Sequence, residues 1–416
     1  MEQSSSKIGS GWGILIVLAL VQFTHLLDFM ILMPLGPQYL REMEIGPDQF
    51  SFLVSTYGFA ACIGGLIAAA RIDRYDRKRA LLFFFGGFTI GTFLCGVAPD
   101  FWSLLGARAF TGFFGGVIGA MCLAVVGDLF PENRRGFATG IVMSSFSIVT
   151  IAGVPIGLLI AENLGKSAPF LLLGAMSVLL FAMAMWLLPP IRVHLEKPRS
   201  KVPLFQILRR RNHLWAYSLM IFLVIGTFMI VPFIATYLVF NGGLEQSNVK
   251  WIYMAGGLAT MFTTPLFGRL SDKFGKLVMF RILATMSAIG ILAVTNLTHP
   301  SLTMTLVVTT WFMVMASGRM VPAMALVTSS ASPQYRGSFL SVNSSMQQAG
   351  MALATALAGQ LLTQPIKTGP IHGFQTVGFV GLIVTLFSLI LAGRIRPAVR
   401  EESIPAINPE KLAASA

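Results

Sequence analysis

Long apolar runs separated by short polar connections set the rhythm of this chain. A helix needs about 20 mainly apolar residues to cross a bilayer core. Stretches of that kind lie at 12–36, 49–70, 80–98, 101–128, 136–161, 168–190, 214–240, 249–268, 277–296, 301–328, 336–362 and 373–393. The pattern predicts an all-α membrane protein with 12 transmembrane helices. Residues 1–11 form a polar N-terminal tail, 12–190 a first six-helix half and 191–213 a basic linker. Residues 214–393 form a second six-helix half, and 394–416 a polar C-terminal tail. The first apolar run lacks a convincing cleavage site, so it reads as a retained span and not a removed signal peptide.

Composition points the same way. Of 416 residues, 55% are hydrophobic and only 11% charged, where soluble domains carry about 25%. With 33 Phe and 22 Met, there is more apolar surface than a soluble protein of this size can hide. Cys62, Cys95 and Cys122 all fall in apolar runs and are odd in number, which predicts free thiols. No Cys/His grouping has zinc spacing. A phosphate loop is incomplete at "GKS", 165–167, because Ile160 stands where its first glycine belongs. No metal, cofactor or enzymatic grouping is therefore expected, nor ATP as a direct power source.

Charge orients the spans. If the N-terminus is cytoplasmic, 24 of the 30 Lys and Arg fall on inner segments. The outer loops hold Arg41, Lys166, Lys250 and Lys367, and Arg108 and Arg319 lie within spans. This bias predicts that both termini are cytoplasmic. The net charge of +13 is then mostly a topological signal and needs no nucleic-acid partner, although "RRR" at 209–211 could touch lipid headgroups.

The two halves repeat their landmarks. "RIDRYDRKR" (71–79) follows the second span, and "GRLSDKFGK" (268–276) follows the eighth. "PENRRG" and "PQYRG" follow the fourth and tenth. Asp73 and Asp272, and likewise Arg135 and Arg336, are roughly 200 residues apart, as expected of two related halves. Parallel repeats with a midplane site between them describe one transporter architecture.

Few ionisable groups lie inside spans, where they are costly and mark function by default. Asp28 sits about 24 Å along the first helix from Trp12, and Arg108 about 10 Å below the outer end of the fourth. In a core about 30 Å thick the two share a depth and can pair. The pair can switch with a proton or be a static lock. His25 shares a helix face with Asp28, as a proton relay, a substrate contact or a packing histidine. Arg319 either snorkels or faces a central cavity, where it would attract an anionic group. Asn343, Gln347 and Gln348 are cavity candidates or helix–helix hydrogen-bonders, and Glu162 at the outer end of the fifth span reads as solvated.

At these residues the chain resembles a twelve-span member of the major facilitator superfamily, nearest its proton-driven efflux branch for drugs or sugars. That branch carries G-x-L-A-D-R-x-G-R-K after the second span. The second copy here keeps Gly268, Leu270, Asp272, Lys273, Gly275 and Lys276. The first keeps Asp73, Arg74, Arg77 and Lys78, with Ala69 and Asp76 in place of the glycines. "LGARAFTG" matches L-x-x-R-x-x-x-G through Arg108 and Gly112, and "GVPIG", with Gly153, Pro155 and Gly157, resembles a shortened antiporter signature. Close helix packing is the simpler reading of these glycines, and a seal against leak is what the resemblance implies.

The resemblance also implies a conformational latch. Asp73 would meet the N-terminal end of the eleventh helix, just after Arg336, where helix N–H groups favour an anion. Asp272 would meet the fifth helix near Gly136, and Arg77 would pair with Asp128. The function implied is a secondary transporter for a small organic molecule, working by alternating access. It is expected to be a proton-coupled exporter driven by the proton gradient, monomeric and multi-pass in a bacterial inner (plasma) membrane. A nutrient symporter on the same fold and a non-transporting membrane sensor are the alternatives.

Overall fold

A computed structural model describes residues 2–192, 195, 209–332, 336–364 and 369–398. Its N-terminal helices are α1 (Glu2–Ile31), α2 (Gly36–Glu42), α3 (Pro47–Arg71), α4 (Arg77–Val97), α5 (Phe101–Leu129), α6 (Glu132–Ile148), α7 (Val154–Leu164) and α8 (Ala168–Leu187). Its C-terminal helices are α9 (Arg211–Phe228), α10 (Ile234–Phe240), α11 (Val249–Phe274), α12 (Lys276–Thr295), α13 (Leu302–Ser329), α14 (Arg336–Leu361) and α15 (Phe374–Ala392). Local chemistry sets several ends. Asp100 accepts from the amides of Trp102 and Ser103 to start α5, and Ser301 accepts from Met304 to start α13. Gly165 (φ 89°) ends α7 in a conformation L side chains rarely adopt.

Among the described residues, ten helical segments are long and apolar enough to cross a membrane. The two other long helices, α11 and α14, lie on the predicted eighth and eleventh spans but are more polar. α11 carries Lys250, Arg269, Asp272 and Lys273, and α14 opens with "RGSFLSVNSSMQQ". Some of that polarity faces protein, since Asn343 and Ser345 of α14 are buried. The first predicted span ends earlier than 36, at Ile31, and the chain turns into the short α2. The fifth is interrupted by a π-helical turn, Val149–Gly153, just before Pro155. Proline has no N–H to give the preceding turn, and a wider turn absorbs that loss.

Among the described residues, three apolar cores organise the packing. Ile14–Val21, Phe85, Phe88, Val117–Val126 and Leu180 gather among the N-terminal helices, at the end that bears the basic loops. Ala216–Leu223, Phe280, Ala323 and Phe339 gather separately among the C-terminal ones. At the far end a single core joins both sets, from Ile31–Tyr39, Phe50 and Phe170 to Phe233–Leu238, Tyr253 and Phe374. Phe50 meets Phe233 there at 6.2 Å between ring centroids, and Arg41 lies 5.0 Å over the Phe240 ring. α3 and α14 also pack against each other across the two sets, with Gly58 beside Met351 and Ala352 and Gly65 beside Ser345.

Candidate functional site

Asp28 and Arg108 meet inside the N-terminal helices. Arg108 Nη1 on α5 donates to Asp28 Oδ2 on α1 at 2.9 Å, and both side chains have 0% exposure. Thr92 on α4 donates to the other carboxylate oxygen at 3.1 Å. Three helices thus converge on one carboxylate, as a buried charge requires. His25, one turn before Asp28, is buried, stands edge-on to Phe88, and lies 3.2 Å through Nδ1 from the Tyr57 hydroxyl. Tyr57 in turn lies against Arg108, with the guanidinium carbon 4.4 Å from its ring centroid. Neither Thr92 nor Tyr57 stands out in the sequence, because which face of a helix meets a neighbour is not written in hydropathy.

Arg319 lies inside the C-terminal helices and does not reach toward the membrane surface. It has 0% exposure and donates to Thr227 Oγ1 at 2.8 Å, Thr385 Oγ1 at 3.1 Å and the Leu223 carbonyl at 3.3 Å. No carboxylate pairs with it among the described residues. Asn343 is buried, its amide 3.9 Å from Met324 Sδ, so it bridges α14 to α13. Gln347 and Gln348 are half-buried on α14, and the Gln348 carbonyl lies beside Gly58 of α3. The structure therefore gathers Asp28, Arg108 and His25 into one cluster and leaves Arg319 and the α14 amides apart from it.

The loop motifs differ between their two copies. Arg77 Nε lies 3.2 Å from Asp128 Oδ2, bracing α4 to the end of α5. The side chains of Asp73 and Arg336 lie outside the described part, so the contact expected between Asp73 and α14 does too. Arg74 is exposed and Lys78 half-buried. Asp272 is exposed, and its carboxylate has no ion-pair or hydrogen-bond partner among the described residues. Lys273 lies 5.3 Å from the Phe274 ring, and Gly268 borders Val321. Gly275 (φ 94°) makes the left-handed turn into α12, whose first residue is Lys276.

Asp76 occupies the corresponding place in the first copy, in an extended conformation (φ −55°, ψ 127°). A glycine is not needed there because the chain turns differently. The Asp76 carboxylate caps α4, accepting from the amides of Lys78 (2.9 Å) and Arg79 (3.4 Å). It also accepts from the Ile191 amide (3.3 Å) and Arg192 Nε (3.2 Å), which ties the loop to the exit of α8. Burial alone would raise this carboxyl, but the Ile191 amide, Arg192 and the two capping amides outweigh it and hold it below its ordinary value. A carboxyl lowered in the folded state adds stability above its unfolded value and loses it as pH falls through the folded one. Asp76→Ala is expected to cost about 1–2 kcal/mol in thermal unfolding at neutral pH. The gap to the wild type should close in acid, and a gap that stayed constant would show that the carboxylate charge is irrelevant.

The glycine signatures serve packing. A Cβ on Gly112 would strike the Tyr57 carbonyl oxygen, and one on Gly116 would meet Ala61, so α3 and α5 touch backbone to backbone. Gly153 faces Phe23 and Leu27, and Gly157 faces Ile31, all on α1. Pro155 follows the π turn, whose Thr150 lies against Gly257 of α11. The antiporter-like segment thus borders both α1 and the C-terminal helices.

Two sets of apolar helices joined at one end, with a buried ion pair inside the first, define a multi-pass helical membrane protein with a charge site in its core. The chain belongs to the major facilitator superfamily, whose pattern matches residues 18–245 and 224–414. It is 28% identical over 377 residues to the uncharacterized MFS-type transporter YceJ of Bacillus subtilis (strain 168), across 89% of this chain and 94% of that protein. A probable sugar efflux transporter of Helicobacter pylori (strain G27) is 26% identical over 234 residues, 56% of this chain and 59% of that protein. Among solved structures, the fold matches a bacterial homolog to the human lysosomal transporter Spinster in an inward-facing, unoccupied conformation. That match has a TM-score of 0.71 at 14% identity, over 92% of this chain and 97% of the other.

Proposed function

We propose that this protein is a secondary active transporter that exports a small organic molecule in exchange for protons, by alternating access of two six-helix halves. The Asp28–Arg108 pair carries the reading. Protonation of Asp28 would remove the charge that holds Arg108 and so change how α1, α4 and α5 meet. Coupling requires such a difference in contacts between two states. The charge bias supports twelve spans with both termini and the basic loops in the cytoplasm of a bacterial cell. The joined core at the far end then supports a state closed on the outside. The sugar efflux relative supports export, with sugars as one substrate class to try first. The proton gradient is the energy source, and a single chain is the working unit.

The test uses everted vesicles energised to a pH gradient, to which lactose, tetraphenylphosphonium and benzoate are added in turn. Compound-driven proton release by the wild type is expected, reduced at least about tenfold in Asp28→Asn. If Asp28→Asn released protons like the wild type, coupling would lie elsewhere. Proton entry accompanying uptake in right-side-out vesicles, without release in everted ones, would favour the symporter.

A further inference from the structure

Arg108 is held from two sides. Asp28 takes its Nη1, while Nε and Nη2 have no hydrogen-bond partner among the described residues. Against the guanidinium lies the ring of Tyr57, itself buried, with the guanidinium carbon 4.4 Å from the ring centroid. A cation over an aromatic face is attracted most strongly where water is excluded. The ring is fixed in turn. Its hydroxyl bonds His25 Nδ1 at 3.2 Å, and Phe29 packs on it at 5.4 Å between centroids. α5 is shaped to receive it, since a Cβ on Gly112 would strike the Tyr57 carbonyl oxygen and one on Gly115 its hydroxyl. Arg108, Gly112 and Gly115 stand four and seven positions apart, on one helix face. The motif glycine and the motif arginine thus serve the same aromatic residue.

Resting on the coupling proposed above, we infer that Tyr57 is the positioning residue of the Asp28–Arg108 pair. Its ring keeps the guanidinium in place when the carboxylate charge is gone, and its hydroxyl anchors the ring to His25. Without the ring, a neutral Asp28 would leave the buried guanidinium with only uncharged acceptors, the Asp28 carboxyl and its main-chain carbonyl 3.4 Å from Nη1, a state the low-dielectric interior disfavours. The titratable and charged groups around Tyr57 and the pair are His25 and Asp28 of α1, Tyr39 of α2, Cys95 of α4 and Arg108 of α5. The stretch of α14 that packs on α3, residues 345–352, is uncharged.

The experiment needs no transported compound. Bioorthogonal spin labels at the exposed Phe137 and Phe274 report the distance between the basic ends of the two halves in the purified full chain. Acidification is expected to redistribute that distance in the wild type. Tyr57→Phe should retain most of the response. Tyr57→Leu should shrink the acid-induced change in the ratio of states by roughly tenfold. A full response in Tyr57→Leu, or an equal loss in both variants, would overturn the inference. If Tyr57→Leu does not fold, Gly115→Ala displaces the ring without truncating it. The same loss is expected there, restored by adding Tyr57→Phe, which lacks the oxygen that the new Cβ meets, and a loss that Tyr57→Phe does not restore would also count against it. Asp28→Asn separates the two levels. If it responds like the wild type, the coupling reading fails and this inference with it. If it is silent while Tyr57→Leu responds fully, only the role of Tyr57 fails.

Discussion

Asp28→Leu is expected to destabilise the protein more than Arg108→Leu does, although the two remove opposite ends of one ion pair. Losing Asp28 strands a guanidinium that has 0% exposure and cannot shed its proton. Breaking a buried pair in this way costs about 3–5 kcal/mol. Losing Arg108 strands a carboxyl that keeps its bond from Thr92 and can become neutral by taking a proton. That variant should lose about 1–3 kcal/mol, the cost of a poorly satisfied buried polar group. The double variant Asp28→Leu/Arg108→Leu should recover most of the loss, because a buried pair replaced by apolar groups is often neutral in stability. It should fold, and on the proposed function it should not couple transport to protons. Thermal unfolding of the four proteins in one detergent checks this. Strictly additive losses would mean that the two groups do not interact energetically.

Gly112→Ala carries the second large effect. The new methyl would meet the carbonyl oxygen, Cα and carbonyl carbon of Tyr57, all backbone atoms of α3. A backbone inside a helix cannot step aside as a flexible side chain can, so the helices must separate. Overpacking of this kind costs about 1–3 kcal/mol, against a gain of up to about 1 kcal/mol from replacing glycine in a helix. Gly127→Ala and Gly136→Ala are the controls, since a Cβ at either meets nothing within 4 Å. They should be neutral or slightly stabilising. Equal unfolding midpoints for Gly112→Ala and the controls would show that the α3–α5 contact is looser than its geometry implies.

Part of the site is legible in the sequence. Charges are rare inside apolar runs, so Asp28, Arg108 and Arg319 stand out, and equal depth is enough to suggest the first two as partners. Asp76 carries a readable signal as well, an acidic residue directly before a helical run, but against the motif it counts only as a missing glycine. Its tie to Ile191 and Arg192 joins residues about 115 positions apart and leaves no trace in either stretch. Arg319 shows the opposite limit. Depth leaves it free to snorkel or to face a cavity, whereas the structure turns it onto Thr227, Thr385 and the Leu223 carbonyl.

Span positions, the doubled landmarks and the membership of the family lie in the sequence by itself, because length and hydropathy are properties of short contiguous segments. Tertiary structure alone decides how each helix is rotated about its axis, and therefore that Tyr57 and not another aromatic residue lies on Arg108. It also decides that, among the described residues, the apolar core shared by the two sets of helices lies at one end, beside the packing of α3 on α14. Hydropathy marks a span without marking which of its ends meets the other half, so no local pattern distinguishes the two arrangements.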